Sequence, residues 1–366
     1  MLALDAHPHA AAVLGSALAP GSGPSHAYLF SGPAGTGKRD TARAFAAELL
    51  AEGAGDPDNA RARVRSGVHP DLTWVVPSGA HEMRRSDVDT AVVAAATRTP
   101  FESTRRVFVL EDADAMNDEA ANTLLKTLEE PPSYVVLVLL SNRPTQVLPT
   151  IASRCQPVRF DPVTAEQLAA RLEAEGVEGP RAIACARLSL GDGERTAELA
   201  RAPELRAAAE RFARVPLYGR AARDRPWEAV LQAADERGTA SRGALEIQLG
   251  EELQFLPKKE HKRTTTDFEG RMKRGERRAR TQALDTMLQL AGLWYRDLAC
   301  VAAGADDLVH NADRTDALGA DAPRKPPAVL LDAIELLDDT RTRLALNVNE
   351  DLALEALALR LETRLS

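Results

Sequence analysis

Four short runs rich in β-branched and aromatic residues mark the first 140 positions of the chain: His26-Ala-Tyr-Leu-Phe-Ser31, Leu72-Thr-Trp-Val-Val76, Arg106-Val-Phe-Val-Leu110 and Tyr134-Val-Val-Leu-Val-Leu-Leu140. Their length and composition predict strands. Helical spacing intervenes over Asp40 to Glu52 and Asp118 to Glu129. Strands alternating with helices predict an α/β domain whose parallel sheet is buried on both faces. After Pro162 the strand pattern fades, and Ala/Leu/Glu/Arg-rich helical periodicity takes over. The expected organisation is an α/β domain over 1–162, a small helical lid over 163–205 and a larger all-α unit over 206–366. Pro203, Pro216, Gly219 and Pro226 punctuate the latter boundary without making a long linker. From Pro257 to Arg280 the apolar pattern of the last unit is interrupted by basic residues mixed with Glu and Asp, with Phe268 as the single aromatic. That stretch reads as a solvated, mobile insertion, with a DNA contact as the alternative.

Composition narrows the function classes. At 366 residues, 44% hydrophobic and 27% charged, the chain has material for two or three packed domains and no bias toward disorder. A net charge of −8 argues against a surface that grips nucleic-acid phosphates everywhere, so any DNA contact has to be local or supplied by partner chains. Cys155, Cys185 and Cys300 are far apart and form no CxxC pair, which predicts neither a disulfide framework nor a cysteine zinc site. Met1 to Ala19 has no basic segment ahead of an apolar run, and no stretch approaches the roughly 18 apolar residues of a spanning helix. A cytoplasmic protein without membrane contact is expected.

The strongest chemical motif is Gly32-Pro-Ala-Gly-Thr-Gly-Lys38, directly after a predicted strand and before a predicted helix. In a phosphate-binding loop of this kind, Gly32, Gly35 and Gly37 let backbone N–H groups converge on phosphate oxygens, with Thr36 among the cradling residues. Lys38 adds a point charge and the following helix its N-terminal dipole. The next residue should be Ser or Thr, whose hydroxyl ligates Mg²⁺; it is Arg39, and the nearest hydroxyl, Thr41, lies two residues too far. Arginine cannot ligate a cation, so nucleotide binding without placed magnesium, or no binding, is the expectation; a glycine-rich turn with no ligand is the alternative. At the end of the third strand stand Glu111 and Asp112, where a phosphate-loop ATPase carries Asp then Glu. Reversal shifts each carboxylate by about one methylene, and displacements on the order of 1 Å cost ~10²-fold in rate. The alternative role for the pair is to cap the helix that begins near Asn117.

Three ordered strings then carry a family resemblance: Glu111-Asp-Ala-Asp-Ala-Met-Asn117, Ala121-Asn-Thr-Leu-Leu-Lys-Thr-Leu-Glu-Glu-Pro-Pro132 and Leu148-Pro-Thr-Ile-Ala-Ser-Arg-Cys155. With His26 to Pro33, His69-Pro-Asp-Leu72 and Gly191-Asp-Gly-Glu-Arg195, they resemble the bacterial DNA polymerase III clamp-loader subunits, AAA+ ATPases. Trp294-Tyr-Arg-Asp-Leu298 and the helix from Asp351 to Leu365 look like that family's oligomerising collar. Departures select among members. The hydrolysing gamma/tau subunits carry the loop Ser or Thr, the Asp-Glu order and four zinc-binding cysteines; this chain has none of these, and 50–68 lacks cysteine altogether. A decayed phosphate loop kept together with Ser153-Arg154-Cys155 is similar to the delta-prime type.

The resemblance implies that Arg154 reaches across a subunit interface to the γ-phosphate of ATP held by a gamma/tau neighbour. It also implies partnership with delta and, through the complex, with the sliding clamp and primed DNA. An arginine supplied in trans is worth 10³–10⁵ in rate; pairing with a local carboxylate is the alternative for Arg154. Asn142 and Arg195 resemble the two sensors of the γ-phosphate, with local hydrogen bonding as their alternative role. Cys155 reads as a packing residue, since no histidine adjoins it. The expected function is a non-hydrolysing subunit with residual ATP or ADP binding left open and no zinc. The rivals are an ATP-hydrolysing loader or fork-remodelling subunit, and a stand-alone nucleic-acid-binding protein.

Overall fold

Strands form at Ala27–Ser31 (β1), Leu72–Val75 (β2), Arg106–Leu110 (β3), Val135–Ser141 (β4) and Gln156–Arg159 (β5). A computed structural model provides this view and describes residues 7–77, 82–255, 258–344 and 348–365. All pairings are parallel, in the order β2-β3-β4-β1-β5. The glycine-rich loop leaves the end of β1, which lies inside the sheet between β4 and β5. Successive side chains of a strand point to opposite faces. Val136, Val138 and Leu140 of β4 accordingly join Tyr28, Phe30, Phe45 and Val109 in one apolar cluster. Val135, Leu137 and Leu139 join Leu29, Phe108, Leu124 and Ile151 in another. Both clusters are buried, so the sheet is covered on both faces.

Four strands and the Asp118–Glu129 helix fall within a residue of the sequence-derived bounds; the helix expected over Asp40 to Glu52 runs Lys38–Ala51, and a helix not expected from the sequence, Pro8–Ala17, precedes it. β5 is an addition. Of its four residues only Val158 is buried, and Pro157 lacks the amide a central strand needs, which suits the edge place beside β1. β5 nevertheless shapes the loop: Phe160 N donates to Ser31 O at 2.8 Å, and a Cβ at Gly32 would stand 2.2 Å from Phe160 O.

The chain divides into two compact units, residues 1–164 with 191–194, and 165–190 with 195–366. The second is helical. Ala165–Ala174 packs on Gly179–Leu188, and Pro203–Leu217, Pro327–Leu344 and Glu350–Leu365 pack with two long helices, Pro226–Phe255 and Lys258–Ala302. Its core includes Phe212, Trp227, Met287, Trp294, Tyr295, Leu337 and Leu361. Asp297 of the Trp294-Tyr-Arg-Asp-Leu298 string is fully buried, accepting from His310 N at 3.0 Å and from Asn311 N and Nδ2 at 2.8 Å each. Burial acts to raise its pKa, but these donors together hold the carboxyl below its ordinary value.

The basic stretch departs from the expectation of a mobile insertion. Pro257 lies outside the described residues, but 258–280 form the first half of one continuous helix, Lys258–Ala302. Phe268 and Met272 are buried, and the helix lies along Pro226–Phe255: a Cβ at Gly275 would come 3.1 Å from Leu245 Cδ1. Apolar or small residues at 268, 272, 275 and 279 follow the i, i+4, i+7, i+11 spacing of a buried stripe. Among the described residues no helix is long and apolar enough to cross a membrane.

Candidate functional site

The glycine loop ends at Gly37, whose φ of +83° starts the Lys38–Ala51 helix without a side-chain cap. Uncapped N-terminal amides are what a phosphate would use. Lys38, however, points back into its own loop. Its Nζ donates to Gly32 O at 2.8 Å and Pro33 O at 2.5 Å, with Thr36 Oγ1 at 3.4 Å. Lys38 as a whole is 6% exposed. Burial pulls its pKa down to about 8, against the raising influence of Asp192, Glu194, Asp114 and Asp112. Thr36 Oγ1 donates to Pro33 O at 3.0 Å, tightening the turn. Gly35, at φ +69°, is met by Asp192: a Cβ there would stand 1.9 Å from Asp192 Oδ1, and Gly193 N donates to Gly35 O at 2.9 Å. Only glycine fits that conformation and that approach.

Arg39 stands where the hydroxyl ligand of Mg²⁺ belongs, and its Nε meets Glu111 Oε1 at 2.8 Å. Glu111 is buried and also accepts from Trp74 Nε1, whose ring lies 4.8 Å from the Arg43 guanidinium. The guanidinium therefore supplies the positive charge that a metal would supply next to this carboxylate. Asp112 takes a left-handed backbone (φ +49°), a conformation aspartate tolerates at a cost of roughly 1–2 kcal/mol. Neither carboxylate caps the next helix; Asn117 does so, accepting from Ala120 N at 2.9 Å. With Arg39 in the ligand position and Glu111 committed to Arg39 and Trp74, these residues do not fit a magnesium ion. Among the described residues no group of three or more His, Cys, Asp or Glu is placed to hold a metal ion.

Asn142 Nδ2 reaches Asp112 Oδ1 at 3.5 Å, at the limit of a hydrogen bond. The residue that organises this corner is Asp114, accepting from Ser141 Oγ at 2.8 Å, Asn142 N at 3.1 Å and Arg143 Nε at 2.8 Å. Burial works to raise its pKa, yet those three donors leave the carboxyl below its ordinary value. The roles of Asp114, Trp74 and Asp192 were not legible in the sequence, because each lies within a recognisable run while its partners come from distant strands and loops.

Arg154 lies elsewhere on the same unit. It follows the Pro149–Ala152 turn, and its Nη2 pairs with Glu129 Oε1 at 2.7 Å while Nη1 donates to Thr150 O at 2.9 Å. The side chains are 36% and 51% exposed, so in the isolated chain the arginine rests on a surface carboxylate. Cys155 is buried, and burial pushes its thiol up to about 12, so the neighbouring guanidinium does not activate it. Arg195 belongs to the second unit, where Nη1 donates to Gln289 Oε1.

Residues 6–164 match the family described as DNA polymerase III, delta subunit. The chain is similar, at 44% identity over 136 residues, to the DNA polymerase III subunit delta' of Pseudomonas aeruginosa, covering 36% of this chain and 42% of the relative. It is 38% identical over 157 residues to subunit delta' of Bacillus subtilis, covering 42% and 47%. The chain thus matches less than half the length of these curated relatives. Subunit tau of Bacillus subtilis is 33% identical over 150 residues, covering 40% of this chain and 27% of the relative.

Proposed function

We propose, from the match of residues 6–164 to the family described as DNA polymerase III, delta subunit, and the similarity to delta' subunits, that the chain serves as a delta-prime-type clamp-loader subunit that does not hydrolyse ATP itself. It joins gamma/tau and delta subunits and presents Arg154 to nucleotide bound by a gamma/tau neighbour, supporting placement of the sliding clamp on primed DNA. In this reading 163–205 is the lid and 206–366 the collar of the same chain.

The observation that carries the proposal is the Arg39–Glu111 ion pair at 2.8 Å, which puts an arginine where an active site needs a metal. A P-loop ATPase acts chiefly by positioning phosphates and neutralising their charge around Mg²⁺. Here Lys38 is held by its own loop and Asp112 sits on a left-handed backbone. What the chain retains is a guanidinium at the surface, bound to Glu129 in a contact of the exposed kind that is worth about 0.2–1 kcal/mol. So small a hold is readily exchanged for phosphate oxygens, which a planar guanidinium engages through two parallel donors.

The similarity to tau supports a second reading, an ATP-hydrolysing subunit. One experiment separates the two: ATP turnover by cognate gamma/tau and delta reconstituted with this chain or with Arg154→Ala, with assembly checked by size-exclusion chromatography. The proposal expects an intact complex and turnover reduced by about 10³-fold or more, the lower end for an arginine finger, and no turnover by the chain alone. Unchanged turnover in an assembled complex refutes the role of Arg154, and stoichiometric turnover by the isolated chain refutes the non-hydrolysing role.

A further inference from the structure

The basic stretch left unexplained by the clamp-loader reading has a definite shape. Residues 258–280 hold ten Lys and Arg against four Glu and Asp, a net +6 inside a chain of −8. They occupy the first half of the Lys258–Ala302 helix, whose Phe268 and Met272 are buried. On the helix surface away from those two residues stand Lys262, Lys273, Arg274, Arg277 and Arg278, all exposed, and Arg271, also exposed, lies over the Phe268 ring. Lys262 to Arg278 covers about 24 Å along the axis at 1.5 Å per residue.

Opposite signs do meet at i, i+4 within the stretch, Glu269 with Lys273 and Glu276 with Arg280, but its ten cations outnumber its four acids, and exposed cations dominate the side of the helix turned away from Phe268 and Met272. Such a face complements a polyanion. The residues also indicate which polyanion. A protein partner is normally anchored by large apolar or aromatic side chains, and on this stretch those are turned inward. Single-stranded nucleic acid is held by exposed aromatic rings on which bases stack, and Phe268, the only aromatic of the stretch, is 4% exposed and covered by the Arg271 guanidinium 4.3 Å from its centroid. A rigid rod of cations with nothing apolar on its outer face fits the phosphate backbone of a duplex, read without sequence preference.

We infer that the outer face of residues 262–278 is a binding surface for the phosphate backbone of double-stranded DNA. It is a property of the chain itself and does not depend on the P-loop or on Arg154.

The test is fluorescence anisotropy of a labelled random-sequence duplex titrated with the full chain across a range of NaCl concentrations, alongside the variant Lys273→Gln/Arg274→Gln/Arg277→Gln/Arg278→Gln. Circular dichroism checks that the variant keeps its helix content. Each phosphate neutralised contributes about 0.9 to the slope of log K against log salt, so the variant is expected to lose about three to four from that slope and at least about tenfold in affinity at low salt. The labelled single strand should bind no more tightly than the duplex. Equal duplex affinity and slope in the two proteins overturn the inference. So does tighter binding of labelled polyglutamate than of duplex, which assigns the face to an acidic protein, or tighter binding of the single strand.

Discussion

Arg39→Ser tests the idea that a guanidinium has taken the place of the metal. The substitution removes the cation from Glu111 and restores a hydroxyl at the position next to Lys38. In the chain as it stands, Arg39 is 46% exposed and Glu111 7% exposed, at 2.8 Å. A pair with one buried member lies between exposed pairs, at about 0.2–1 kcal/mol, and buried ones, whose disruption costs about 3–5 kcal/mol; solvent on the arginine side places it at about 1–2 kcal/mol. A magnesium ion has to displace that guanidinium first, which weakens any metal contribution to nucleotide affinity by about 5- to 30-fold. Calorimetric titration of ATP with magnesium and with EDTA should therefore show no metal dependence for the native chain and a gain of about 5- to 30-fold for the variant. Urea unfolding should show the variant less stable by about 1–2 kcal/mol, because Glu111 keeps only the Trp74 indole. Turnover by the variant should remain undetectable, since the carboxylates stay reversed and Asp112 keeps its φ of +49°. Metal-dependent ATP binding by the native chain, or its absence from a folded variant, refutes the reasoning.

The Lys38 ammonium, with its pKa pulled down to about 8 from 10.5, gives a pH dependence of definite sign. Below pH 8 both folded and unfolded states carry the proton and the full cost of burying the charge is present. Between about 8 and 10.5 the unfolded chain binds more protons, so native stability relative to Lys38→Met should rise with pH, by at most about 3 kcal/mol; a relative stability that falls across this window, by urea unfolding, contradicts the buried ammonium. Glu129→Gln loosens the surface hold on Arg154, at 2.7 Å. Turnover of the reconstituted loader should rise between about 1.4-fold and fivefold, matching about 0.2–1 kcal/mol, and a fall to the Arg154→Ala level would show instead that Glu129 positions the arginine for its task.

What the sequence disclosed and what it concealed follow one division. Strands β1, β3 and β4 were legible because interior strands of a sheet covered on both faces require apolar runs, and β2, at one edge, still carries Leu72, Trp74 and Val75; β5, at the other edge, turns only Val158 inward and was not. The arm of 258–280 was misread because ten cations obscure an inward stripe of two apolar and two small residues, Phe268, Met272, Gly275 and Ala279, at regular helical spacing. At the site, the motif showed which ligand had gone but not what had replaced it. Arg39 and Glu111 look like two separate losses on the page. Folding sets the end of β3 beside the start of the Lys38–Ala51 helix, and the two departures become one ion pair, each neutralising the charge the other exposes. A buried carboxylate without a cation is costly, so loss of the metal ligand and gain of the arginine are a single change. Restoring serine alone must expose the cost of Glu111, which is why the affinity gain and the stability loss expected of Arg39→Ser have to appear together.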